Sequence, residues 1–139
     1  MGFFSSKPAD TRPAILVVDD SALIVMSIKM ILDPAGYEVI ECSNGPDAVK
    51  FAEAKAPQLI LLDMMMPGMD GIETLARLKS NAKTSPIPVL MVTGSQAGKD
   101  GEKAFGYGAN GYVVKPVDAA RLLAKIAATL SPKPAGPPA

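Results

Sequence analysis

Five short runs of aliphatic and β-branched residues punctuate the chain: "AILVV" (14–18), "YEVIEC" (37–42), "LILL" (59–62), "IPVLMV" (87–92) and "GYVV" (111–114). Each has the length and composition of a strand, and the third, wholly apolar, reads as one buried on both faces. The stretches between them carry helical patterning. A first helix is predicted over 21–33, with Ser21 as N-cap and a stop before Pro34-Ala35-Gly36. A second covers 46–55, opened by Asn44 or Gly45 and closed by Pro57, and a third covers 71–80. The last, 118–130, is capped by Asp118 and has Leu122, Leu123, Ile126 and Leu130 as its apolar stripe. Segment 98–107 is the weakest of the predicted helices, because Gly98, Gly101 and Gly106 each lower helix propensity by up to about 1 kcal/mol relative to alanine.

Strict alternation of five strands with helices predicts an α/β domain over 14–130. Its sheet should be parallel, covered by helices on both faces and joined by right-handed crossovers. In such a sheet the ligand site lies beyond the carboxyl ends of the strands, where the strand order reverses. Flanking this domain, residues 1–13 bear Ser, Lys and Pro and read as a flexible arm, and 131–139, "SPKPAGPPA", reads as a Pro-rich disordered tail.

Composition narrows the function. A chain of 139 residues that is 48% hydrophobic can bury one full core without metals or disulfides. Its 14 basic and 14 acidic residues balance to zero, which gives no electrostatic footprint for nucleic acid or an anionic membrane. No apolar run is long enough to insert into a bilayer, so a soluble, cytoplasmic protein is expected. The opening "MGFFSS" satisfies a loose myristoylation pattern and is read as a chance match. The single Cys42 excludes an internal disulfide and a cysteine-rich zinc site. The absence of histidine removes the commonest general base and metal ligand, so any site must use carboxylates, hydroxyls, lysine and backbone.

The residues just past each strand end supply such groups: Asp19 and Asp20 after the first, Asp63 after the third, Thr93 after the fourth, Lys115 and Pro116 after the fifth. Cys42 and Ser43 end the second strand, which suits a sheet edge away from the site. Singly, each could be a helix cap, a turn or solvated surface. Together they deliver three acids, a hydroxyl and a base to one rim, which capping does not require. Three converging carboxylates repel one another unless a cation sits among them. An all-oxygen ligand set selects a hard divalent ion such as Mg²⁺, which keeps positions open for water and phosphate oxygens. With a lysine and a threonine facing the same point, the set suits a phosphoryl group, and a carboxylate can serve as its nucleophile. No G-x-x-x-x-G-K-[ST] loop is present. The literal G-x-G-x-x-G, "GYGANG" (106–111), precedes a strand instead of following one and is a glycine-rich turn.

"ILVVDDS", "LILLDMMMPGMDG", "VLMVTG" and "GYVVKP" occur in an order and spacing that together resemble the receiver domain of two-component response regulators, over about residues 14 to 130. The resemblance implies a flavodoxin-like (βα)5 three-layer sandwich of strand order 2-1-3-4-5 and Mg²⁺-dependent transfer of phosphate from a partner's phosphohistidine to Asp63. It also implies that Asp20, Asp63 and the backbone carbonyl of Met65 ligate the metal, which Mn²⁺ can replace, and that Asp19 acts through a water. Lys115 would pair with the phosphate, Thr93 would move to hydrogen-bond it, and Tyr112 would swing inward. The Lys115-Pro116 bond would be cis. Such a protein is a phosphoacceptor that promotes its own phosphorylation and dephosphorylation, not an enzyme acting on others.

Without a histidine of its own the chain needs a donor in trans, a histidine kinase or histidine phosphotransfer protein; small donors such as acetyl phosphate could substitute in vitro. Three details depart from the usual pattern or leave it open. Gly94 stands where alanine is common, which predicts a mobile switch segment after Thr93. Met65 and Ser95 occupy positions that tune hydrolysis, without revealing the phosphate's lifetime. The first helix has more apolar residues than one buried face needs, and Val25 and Met26 fall where polar or basic residues are frequent. The expectation is a modest apolar patch there for a helical partner. The favoured reading is a stand-alone, chemotaxis-type receiver that switches binding to a downstream protein, since no output domain fits after the last helix. The alternatives are a phosphorelay intermediate and an unphosphorylated pseudo-receiver scaffold. A flavin-binding protein is disfavoured by the acid-lined rim.

Overall fold

In the computed structural model, which describes residues 12–94 and 104–131, the five apolar runs form one parallel sheet. The strands are β1 (Ala14–Val18), β2 (Glu38–Cys42), β3 (Leu59–Asp63), β4 (Val89–Thr93) and β5 (Gly111–Val114), in the order β2-β1-β3-β4-β5. The helices are α1 (Ala22–Leu32), α2 (Gly45–Lys55), α3 (Gly71–Ser80) and α4 (Ala119–Leu130). The class and strand order expected from the sequence are the ones observed. Of the predicted 98–107 helix, Ala104–Gly106 are helical and 98–103 lie outside the described residues, as do Ser95 and most of both terminal arms. Arg12 and Pro13, assigned by sequence to the flexible arm, are tied to the domain: Arg12 pairs with Asp33 at 2.9 Å and the Pro13 carbonyl accepts from Glu38 N–H.

The pleat divides the core in two. Leu16, Val18, Ile60 and Leu62 point toward α2 and α3, where Ala48, Ala52, Leu75 and Leu78 meet them. Their neighbours Ile15, Val17, Leu59 and Leu61 point the other way, onto Val25, Ile28 and Leu32 of α1 and Leu122 and Ile126 of α4. Every residue of β3 and β4 is buried, as a strand covered on both faces requires. Each helix begins at a side-chain cap: Ser21, Asn44, Asp70 and Asp118 accept from the N–H of Ile24, Asp47, Glu73 and Arg121 respectively.

Two boundaries shift for physical reasons. β4 starts at Val89, not Ile87, because Ile87 N–H is spent on the Thr84 carbonyl in the preceding turn and Pro88 has no N–H to donate. β3 runs one residue further than predicted, to Asp63, which pairs with Val92 in the ladder. The apolar patch expected on α1 is also corrected. Val25 is 5% exposed and belongs to the buried stripe Val25, Ile28, Leu32; the exposed apolar residues are Leu23 (75%), Met26 (58%) and Met30 (70%).

Glycine sets one approach that positions the site. Gly71 opens α3 against the end of β3, and a Cβ there would strike the backbone carbonyl of Asp63 and lie 2.7 Å from Met64 Cα. Gly94, by contrast, has no atom of the described residues within 4 Å of where its Cβ would be. Gly71→Ala is therefore expected to destabilise the fold by about 1–3 kcal/mol, the usual range for overpacking, and Gly94→Ala to leave it nearly unchanged. Urea denaturation midpoints of the two variants check this contrast.

Candidate functional site

Asp63 ends the central strand with its carboxylate almost wholly buried. Its Oδ1 accepts from Lys115 Nζ at 3.0 Å and, more loosely, from Met65 N–H at 3.4 Å. Asp19 leaves β1 alongside it, its own N–H donating to the Cys42 carbonyl. Asp19 Oδ1 accepts from Ser21 N–H at 2.9 Å, which fixes the turn into α1. Its other oxygen, Oδ2, is 3.4 Å from Lys115 Nζ but outside hydrogen-bond geometry, and is a buried acceptor with no hydrogen-bond partner among the described residues. Asp20 is exposed, and one oxygen from each of Asp19, Asp20 and Asp63 can be chosen so that all three lie within 4.8 Å of one another.

The opposite wall comes from β4 and β5. Thr93 is buried at the end of β4, and its carbonyl accepts from Lys115 N–H at 2.7 Å, which brings the lysine from the edge strand to the pocket. The Lys115-Pro116 peptide is cis. Tyr112 is half-buried, packs on the core and meets Phe105 edge-on, with ring centroids 6.2 Å apart and planes at 68°. The methionine row after Asp63 divides by direction: Met64 and Met66 are buried and Met65 is exposed. Cys42 and Ser43, placed by sequence away from the site, instead line a hollow of about 280 Å³ with Asp19 and Asp20.

The charges do not balance. Three carboxylates share the pocket with one ammonium, and two like unit charges 4 Å apart repel by about 4 kcal/mol at an effective dielectric of 20. Burial pushes the Asp19 carboxyl above its usual range and the Asp63 charge adds to this, while Ser21 N–H and Lys115 pull the other way. Burial alone would lower the Lys115 ammonium, but Asp63 and Asp19 together hold it above its ordinary value. An orphaned buried oxygen, an all-oxygen donor set and excess negative charge fit a hard divalent cation. Sequence reasoning missed Ser21 and Gly71 as parts of this site. The adjacency of each to an acid, in "DDS" and "MDG", is a signal for a turn that positions a carboxylate.

A family model described as the response regulator receiver domain matches residues 15–127. The chain belongs to this family. Among curated proteins, this receiver is 37% identical over 119 residues to Protein PilH of Pseudomonas aeruginosa, covering 84% of this chain and 97% of PilH. It is 41% identical over 118 residues to the phosphate regulon transcriptional regulatory protein PhoB of the same organism, covering 84% of this chain but 51% of PhoB. Among solved structures, a Vibrio cholerae chemotaxis protein CheY4 superposes with a TM-score of 0.79 at 29% identity, over 84% of this chain and 97% of that one. A putative response regulator from Chloroflexus aurantiacus gives 0.83 at 28% identity, over 86% and 98%. The flavodoxin-like receiver fold is thus shared with chemotaxis relatives.

A divalent ion that relieves the repulsion should stabilise the folded receiver. Mg²⁺ at one hundred times its Kd is expected to add about 2.7 kcal/mol, seen as a rise of several degrees in Tm, and Asp20→Asn should blunt it. In EDTA the sign for Asp19 is the reverse. Its folded carboxyl sits above the unfolded value, so the ionised form opposes folding once pH rises past that folded value. Asp19→Asn should therefore raise Tm at neutral pH, with the gain shrinking as pH falls and Asp19 takes its proton. Melts across pH with and without Mg²⁺ measure both.

Proposed function

We propose that the receiver takes a phosphoryl group from a partner's phosphohistidine onto Asp63 and thereby switches its binding to another protein. The observation that carries this reading is the placement of the Asp63 carboxylate, buried at a strand end, 3.0 Å from Lys115 Nζ and facing two further acids. In the transfer the donor's N–P bond breaks with its electron pair staying on the imidazole nitrogen, and a carboxylate oxygen of Asp63 forms the new P–O bond. Asp20, Asp63 and the Met65 carbonyl would hold Mg²⁺, with Asp19 reaching it through a water; the ion supplies charge neutralisation for the incoming phosphoryl oxygens. Mn²⁺ has the chemistry to replace it.

This chain's own residues do the rest. Lys115 already touches Asp63, so its ammonium is in place to pair with a phosphoryl oxygen without a long movement. Thr93 supplies a hydroxyl from the adjacent strand, and Tyr112, three residues before Lys115, responds through packing. Among the described residues no helix is long and apolar enough to cross a membrane, and the proposed setting is the cytoplasm. A histidine kinase or histidine phosphotransfer protein is the donor class, because the chain has no histidine to carry the phosphoryl group itself. Its own promotion of hydrolysis is part of the same reading.

Incubation with Mg²⁺ and acetyl phosphate should add one phosphoryl mass to the wild type, lost in EDTA and absent in Asp63→Asn. Lys115→Ala should retain the acceptor but respond to beryllofluoride at least tenfold less well, read by amide chemical shifts around Thr93 and Tyr112. An unmodified, unresponsive wild type would turn the reading toward a scaffold. Rapid return of the phosphoryl group to a histidine-bearing partner would turn it toward a relay.

A further inference from the structure

The sulfur atoms of the chain are unequally shielded. Cys42 is buried, its thiol donates to the Asn44 carbonyl at 3.2 Å, and burial pushes the thiol up from its ordinary range, which keeps it in the unreactive protonated form. In the run after Asp63, Met64 and Met66 are 4% and 7% exposed, whereas Met65 between them is 74% exposed. The backbone fixes that direction. Met64 N–H donates to the Val92 carbonyl at 2.9 Å and the Met64 carbonyl accepts from Gly71 N–H at 3.1 Å, while Met65 N–H reaches Asp63 Oδ1 at 3.4 Å. The other strongly exposed thioethers among the described residues, Met26 and Met30, lie on α1. Of the three, Met65 alone is tied through its own amide to a carboxylate of the pocket.

We propose that Met65 is a site of reversible oxidation through which a hydroperoxide shortens the life of the phosphoryl group on Asp63. The thioether sulfur attacks the terminal oxygen of the hydroperoxide. An S–O bond forms, the O–O bond breaks, and the alcohol or water leaves with the proton, so the sulfur loses two electrons and the peroxide gains them. Net charge is unchanged, but an apolar side chain becomes a polar one that accepts hydrogen bonds. At the rim of the pocket the new oxygen can hold a water toward phosphorus. In the hydrolysis that follows, the water oxygen bonds phosphorus, the P–O bond to Asp63 breaks with its electron pair on the carboxylate, and both water protons leave with the phosphate. This rests on Asp63 being the phosphoacceptor and adds a regulator of the same site.

Hydrogen peroxide is applied in low excess to the full chain, and sulfoxide is counted at each methionine by peptide mass spectrometry. Met65 should oxidise well ahead of Met64 and Met66, because oxidation follows exposure. The oxidised protein is then phosphorylated with acetyl phosphate and Mg²⁺, the donor is removed, and the decay of the phosphoryl mass is followed. Its lifetime is expected to fall by about threefold or more, well short of the roughly hundredfold that a positioned acid or base supplies, and to recover after treatment with methionine sulfoxide reductases. Met65→Leu should make the lifetimes before and after peroxide equal, whatever its own starting value. Met26→Leu with Met30→Leu should keep the difference. Oxidation of Met65 no faster than of Met64 and Met66, an unchanged lifetime in protein oxidised at Met65, peroxide sensitivity that survives Met65→Leu, or sensitivity lost with the α1 methionines would each overturn the proposal. Untreated wild type that takes no phosphoryl group, while peroxide still oxidises Met65, would overturn the phosphoacceptor reading and this proposal with it.

Discussion

The organisation of this receiver follows from one electrostatic constraint: three carboxylates held within a few ångströms of one another beside a single ammonium. Water is largely excluded from two of the acids, so their repulsion is not screened away. The chain tolerates this because the two buried acids, Asp63 and Asp19, are each mounted on something that resists relaxation. Asp63 is the last rung of a strand paired on both sides and is closed off behind by the Gly71 end of α3. Asp19 is pinned from two directions, by the Cys42 carbonyl and by Ser21 N–H. A pocket with such mounts stays loaded with excess negative charge until a cation or a cationic side chain answers it.

Much of this was legible in the sequence because strands and acids are written in the local pattern. A wholly apolar run that stops at a carboxylate has few structural explanations, and two such stops beside a hydroxyl and a lysine at the ends of two more strands have fewer. The caps were legible for the same reason, since Ser21, Asn44 and Asp118 stand immediately before their helices. What local pattern could not show was phase. Along "ALIVMSIKMIL" nearly every position is apolar, so the sequence holds no contrast by which to tell Val25, which faces the sheet, from Met26, which faces outward. Nor could it show that the end of β2 lies beside the acids, because the hollow shared by Cys42, Ser43 and Asp19 is set by the register of β2 against β1.

Buried polar groups away from the pocket were equally silent. Thr84 hydroxyl donates to the Leu78 carbonyl, and Lys79 Nζ donates to the carbonyls of Ser85 and Ile87, so together they fasten the crossover that delivers β4. Burial lowers the Lys79 ammonium from its ordinary value, a cost met by two carbonyl dipoles and no carboxylate. These contacts join residues in one loop to a helix several residues earlier, and hydrophobic periodicity carries no trace of them.

The sheet order has a mechanical consequence. The acids hang from β1 and β3, interior strands laced to neighbours on either side, whereas Lys115 follows β5, which is stitched along one seam only. The negative wall of the pocket is thus the anvil and the positive wall the lever. A change of charge at Asp63 would therefore meet unequal resistance, less at the singly paired edge strand than at the interior ones.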